Sequence, residues 1–116
     1  MNNQEITNGY VINLGRWGIT EGLPNKPYKT EDYLKANLNV IGINNALNYA
    51  KENNFTEVVL PKGNYAICYP KSITMKSNII FNMNDSLFKV IYDSTSKSPF
   101  DTRTTTDYYN FIGNAI

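Results

Sequence analysis

Apolar positions in this 116-residue chain recur with two different periods. Tyr10, Ile12 and Leu14 alternate with Val11 and Asn13, which predicts a short strand ended by Gly15. Ile43, Ala46, Leu47 and Ala50 fall at i, i+3, i+4 and i+7, the single stripe of an amphipathic helix from Asn39 to Asn53. Asn39 is expected as its N-cap, Ile43 and Leu47 as its buried anchors, and Asn53-Asn54 as its stop in place of glycine. Asn44, Asn45, Asn48, Lys51 and Glu52 lie off the stripe and are expected to face water. Gly22, Pro24, Asn25 and Pro27 mark a loop, and Thr30 to Ala36 has room for one extra helical turn.

After the helix the period shortens. Val58-Val59-Leu60, Tyr65-Ala66-Ile67, Ile73-Thr74-Met75, Ile79 to Met83 and Leu87 to Ile91 are strand-like runs. Pro61-Lys62-Gly63-Asn64, Lys76-Ser77-Asn78 and Asn84-Asp85-Ser86 separate several of them as turns. An antiparallel meander and stacked parallel coils both fit this spacing. The register favours coils: the run at 58 returns at 79 and the run at 65 returns at 87, steps of about 21 to 22 residues. Alternate residues would then point inward, here Val58, Leu60, Tyr65, Ile67, Ile73, Met75, Ile79, Phe81 and Leu87.

The order of these segments resembles the start of right-handed parallel β-helix proteins of the pectate-lyase-like superfamily. It is most similar to the phage tail-spike and pre-neck appendage branch. The residues that carry the resemblance run from Tyr10 to Ile19, from Gly42 to Ala50, from Val58 to Tyr65, and from Met75 to Met83. The resemblance implies a mainly β fold: an N-terminal strand and a capping α-helix, followed by the first two to three coils of the β-helix. Residues 1–9 would be a flexible tail, 10–54 the strand, loop and capping helix, and 55–116 the first coils. Pro61 and Gly63 would shape the corner between the first two strands, Gly63 with a positive φ. Solenoids need about three repeats for stability, so Ile116 is expected to mark either a truncation or the limit of a short capping protein that must oligomerise. A short aspartate-glycine-threonine turn common after the first strand of this family is replaced here by Thr20-Glu21-Gly22-Leu23.

Composition narrows the chemistry. Histidine is absent, which removes an imidazole base, a histidine-assisted nucleophile and a histidine-bound zinc. The single cysteine, Cys68, forms no internal disulfide and is expected as a small buried hydrophobe. Eleven basic and ten acidic side chains leave a net charge of +1, so no bulk field gathers nucleic acid or an anionic membrane. No apolar run reaches the length of a membrane span, and the first nine residues carry no signal-peptide pattern. Eighteen asparagines spread along the chain predict many short turns.

Candidate sites are few. Asp85 and Asp107 stand 22 residues apart, one coil by the register above, and neighbouring coils would bring them to the separation of about 5 Å that a retaining glycosidase uses. Both also suit ordinary turns, and no catalytic residue, metal site or cofactor is assigned. Trp17, Tyr108 and Tyr109 are the candidates for stacking on sugar rings, although Trp17 also suits a packing role. Arg16 beside Trp17 suits a cation–π pair that anchors the entry loop.

The resemblance implies a structural segment that caps and nucleates a β-helix used in attachment to host cell surfaces, in a virion protein made in the host cytoplasm. It implies a homotrimer, other tail or appendage proteins as partners, and bacterial surface polysaccharide as the parent protein's target. The alternatives are a polysaccharide-degrading enzyme whose catalytic residues lie beyond residue 116, or a carbohydrate-binding module.

Overall fold

The computed structural model describes residues 9–69 and 71–92, together with the backbone of residues 110–115. Its elements in chain order are β1 (Gly9–Val11), α1 (Leu14–Trp17), α2 (Thr30–Glu52), β2 (Glu57–Val59), β3 (Asn64–Tyr69), β4 (Ile80–Tyr92) and β5 (Asn110–Ala115). One sheet contains all five strands of the described residues. Its order is β1-β2-β4-β3, all pairing in parallel, and β5 lies antiparallel beside β4.

The β-helix expected from the sequence is corrected by this arrangement. The described residues form a mixed α/β fold with four parallel strands in one sheet and a 23-residue helix. Two features replace the separate short strands of a coil. β4 runs unbroken for 13 residues, pairing with β2 along its first part and with β3 along its last. β5 then runs in the opposite direction along β4. The Asn84-Asp85-Ser86 segment, read as a chain-reversing turn, instead bends β4: Asn84 (φ 55°) and Asp85 (φ 57°) take the left-handed conformation while the strand continues. Asparagine and aspartate tolerate that region better than other residues with a β-carbon.

The bend also shifts the burial phase. Phe81 and Met83 before it point into the core, and Phe88, not Leu87, does so after it. Core rows run across the sheet, one through Tyr10, Val58 and Phe81 and another through Tyr65 and Phe88. Ile12, Leu60 and Met83, all buried, follow the first row. Fully burying a side chain such as Phe81 or Leu60 contributes about 1.5–3 kcal/mol, so these rows hold much of the fold's stability.

α2 starts nine residues earlier than Asn39, at Thr30. Its first turn is closed by Asp32, whose carboxylate accepts the Lys29 N–H at 2.8 Å. The expected N-cap, Asn39, is therefore in mid-helix. Its far end stops as expected: Asn54 sits at φ 63°, and Phe55 N–H donates to the Ala50 carbonyl at 2.9 Å, a Schellman closure. Ile43 and Leu47 are fully buried in the main core. The N-terminal half of α2 covers the other face of β3, where Ala36 packs with Ala66, Cys68 and Ile91. β3 is thus buried on both faces.

The Ile73–Met75 run is not a strand. Its backbone pairs with a helix side chain: Asn44 Nδ2 donates to the Ser72 carbonyl at 2.9 Å, and Thr74 N–H donates to Asn44 Oδ1 at 2.7 Å. Asn44 was expected to face water and is instead half-buried in this bond pair.

Candidate functional site

Two places concentrate polar or aromatic chemistry, and both flank the join between α2 and the sheet. The first follows from β1 and α1. Asn13 caps α1 by accepting the Arg16 N–H at 3.1 Å, and Gly18 (φ 72°) ends it. That short turn sets Trp17 against Tyr10 and Tyr49. Trp17 Nε1 donates to the Tyr10 hydroxyl at 2.8 Å, and the Tyr10 ring lies 5.0 Å from Tyr49 and 5.5 Å from Phe55. The Arg16 guanidinium stands over two rings, 4.6 Å from the Trp17 centroid and 4.4 Å from that of Tyr49. The expected arginine–tryptophan pair is present, with Tyr49 as its second ring. One face of Trp17 is occupied by a cation, which is a packing arrangement more than a platform for a sugar.

The second place is a cavity of about 160 Å³ beside the loop after α1. Thr20, Glu21, Asp32, Lys35 and Asn39 contribute to its wall. Two of these groups are already committed. Asp32 caps α2, and Asn39 exchanges two hydrogen bonds with Thr20: the Thr20 N–H donates to Asn39 Oδ1 at 2.8 Å, and Asn39 Nδ2 donates to the Thr20 carbonyl at 3.1 Å. Asn39 Nδ2 also donates to the Ala66 carbonyl at 2.8 Å. The adjoining Asn64 carbonyl accepts the Gly22 N–H at 2.8 Å. The outer edge of β3 is therefore closed by a loop amide and by a helix side chain. Asn39 is 1% exposed; its bond to the Ala66 carbonyl is buried, and its two bonds to the exposed Thr20 are part-buried.

Glu21 lies over the next corner. Its carboxylate abuts Gly63, where a β-carbon would collide with it. Gly63 lets the end of the exposed Glu21 side chain come this close, and the expected positive φ is not among those observed. Pro61 contributes its carbonyl, which accepts the Tyr65 hydroxyl and, at 3.3 Å, the buried Ser86 hydroxyl. Ser86 Oγ in turn accepts the Gly63 N–H at 3.1 Å. Tyr65 is fully buried, and burial followed by the negative charge of Glu21 pushes its hydroxyl up to about 12.

Of the candidate carboxylate pair only Asp85 lies among the described residues. Asp85 is exposed at the β4 bend, and Asp107, Tyr108 and Tyr109 lie outside the described residues. Among the described residues no three acidic or cysteine side chains gather where they would hold a metal ion, and no helix is long and apolar enough to cross a membrane. Sequence reasoning missed Asn39 as the group that joins helix to sheet and Asn44 as the group that ties the helix to the segment between β3 and β4. For Asn39 the signal was available: it falls on the same stripe as Ile43 and Leu47, a polar side chain on a face destined for burial. Nothing comparable marked Asn44, Glu21 or Tyr49.

Comparison with protein-family models, with curated proteins and with solved structures found no match to this chain.

Proposed function

We propose that the chain is a structural, non-catalytic segment that closes one edge of a parallel sheet with a helix and presents the sheet for assembly. The observation that carries this reading is the bonding of Asn39 and Asn44. Asn39 spends its side-chain amide on backbone groups of Thr20 and of Ala66 in β3, as a neighbouring strand would, and Asn44 spends its own on Ser72 and Thr74 in the segment between β3 and β4. Side chains that an enzyme would turn toward substrate are used here for holding: Asp32 caps a helix, Arg16 covers two rings, and Lys51 donates to the Ser77 carbonyl at 2.9 Å.

The segment order similar to that of phage tail-spike and appendage proteins gives this role a setting. In that setting the chain belongs to a virion attachment protein, assembles as a homotrimer with other tail or appendage proteins, and serves a parent protein directed at bacterial surface polysaccharide. The test is incubation of the purified chain with Gram-positive wall and capsular polysaccharides, followed by an assay for new reducing ends. A structural role expects none above the buffer control. Release of reducing ends that disappears in Asp85→Asn would overturn it.

A further inference from the structure

The outward face of α2 is built unlike the surface of a helix that only covers a sheet. Val40, Ile43, Leu47 and Ala50 are buried on its inner face. On the opposite side Leu34, Leu38 and Ile41 are 57%, 42% and 44% exposed, three of the five large apolar side chains that the described residues leave exposed. Such a helix ordinarily turns charge to water, yet no charged residue occurs from Ala36 to Ala50. Leu34, Leu38, Ile41, Asn45 and Asn48 follow one another at steps of 4, 3, 4 and 3, and the two asparagines are exposed as well. That alternation is the seam along which one helix packs on another.

The charges at the two ends of this seam identify its occupant. Lys29 and Glu31 stand at the start of α2, Lys51 and Glu52 at its end, all four exposed. Two copies aligned in parallel would set each of these charges on its like. Turned antiparallel, with Leu38 beside the second copy's Ile41, the helices bring Glu31 within one turn of the second copy's Lys51, and Lys29 within one turn of its Glu52. Lys51 already donates to the Ser77 carbonyl, and its ammonium keeps further donors for a carboxylate. Asp32 and Lys35, the other charged residues of the helix, line the cavity on its flank. Antiparallel packing also sets the negative C-terminal end of each helix beside the positive start of the other. In that register Leu34 meets Asn45, so an apolar centre of Leu38 and Ile41 grades into a polar rim, as protein interfaces do. The same residues serve both copies, which is the self-complementarity a two-fold axis requires.

We infer that α2 is a two-fold contact between two copies of this chain, packed antiparallel through Leu34, Leu38 and Ile41. The seam is about 21 Å long, short for a permanent dimer, so the pair forms and parts with concentration. This goes beyond the structural role proposed above. It uses a two-fold axis that three-fold assembly does not need, so either can fail alone, and the reducing-end assay depends on neither.

Sedimentation velocity over a concentration series should show the unaltered chain pass from one copy toward two. Leu38→Lys and Ile41→Lys change exposed positions and leave the core alone; each should weaken the association at least about tenfold. Ile80→Lys, at an exposed apolar position on the sheet, should leave it unchanged. Disulfide trapping reads the orientation. Chains carrying Leu34→Cys and chains carrying Asn45→Cys, oxidised together, should give a linked pair that neither gives alone, Cys68 being buried. A chain that stays a single copy at high concentration overturns the inference, and so does association that survives both Leu38→Lys and Ile41→Lys. Linking of either cysteine variant to itself in preference to the other means a parallel pair and overturns it too. Uptake by phosphatidylcholine–phosphatidylglycerol vesicles that Leu38→Lys abolishes, with no self-association, would give the face to a lipid surface and overturn the inference as well.

Discussion

Asn39 and Thr20 bond to one another as two peptide groups in neighbouring strands do, each giving one donor and taking one. A helix side chain thereby continues a sheet where no strand is available. Replacing Asn39 by alanine strands the Ala66 carbonyl in a buried site and frees the part-buried Thr20 N–H, which should cost about 2 kcal/mol. Asn44→Ala removes a similar pair from a half-buried site, where water can substitute, and should cost about 1 kcal/mol. Urea unfolding of the two variants decides the order. Equal losses would mean that burial does not set the value of these amides.

Gly42 and Gly63 both stand where a β-carbon meets a neighbour, yet alanine should act differently at each. In an open helix Gly→Ala gains about 1 kcal/mol. At Gly42 the new methyl would strike the Trp17 carbonyl and come to 2.7 Å from Ile19 Cγ1, both fixed by packing, so a loss of about 1–3 kcal/mol is expected. At Gly63 the obstacle is the end of the exposed Glu21 side chain, which can swing into solvent. Gly63→Ala should stay within about 0.5 kcal/mol of the unaltered chain, and Glu21→Ala should abolish what cost remains. Denaturant midpoints of the four chains test this.

Alkaline stability should turn on Tyr65. Its hydroxyl is raised from 10.0 to about 12, so the folded state holds this proton more tightly than the unfolded chain does. The stability gained is complete below pH 10 and is lost as the pH climbs toward 12. Tyr65→Phe has no proton to lose. At neutral pH it should be less stable by about 1 kcal/mol, the worth of the hydrogen bond to Pro61, and the deficit should shrink across the alkaline window. Parallel stability curves for the two proteins through that window would refute the assignment.

Arg16 should matter through its stacking. Arg16→Ala is expected to cost about 1 kcal/mol, with Arg16→Lys recovering only part, because the flat guanidinium covers both Trp17 and Tyr49. Trp17 is the only tryptophan, so its emission reports the change directly. An unaltered spectrum in Arg16→Ala would place the guanidinium elsewhere in solution.

Local signals were the more legible part of this fold. The stripe through Ile43, Ala46, Leu47 and Ala50 marked a real helix, and Asn53-Asn54 marked its end, because periodicity and a left-handed stop are properties of a few adjacent residues. The start was hidden: Pro24 and Pro27 directed attention to a loop, while Asp32 reaching back to Lys29 is a weaker signature than a serine or threonine cap. The β-helix reading failed on a non-local question. Asn84-Asp85 has the composition of a reversing turn, and only the pairing of β4 with both β2 and β3 reveals that the strand bends and goes on. Candidate sites suffered similarly. Arg16 and Trp17 are adjacent and could be paired on sight, whereas Tyr49 joins them only after α2 folds back.

Cys68, 1% exposed beneath the first half of α2, gives the molecule a built-in clock. It is the only thiol, so an alkylating reagent can mark the chain at one atom, and only while the helix is lifted from β3. Where that labelling outpaces global unfolding, its rate measures how often the lid opens without the rest of the sheet coming apart.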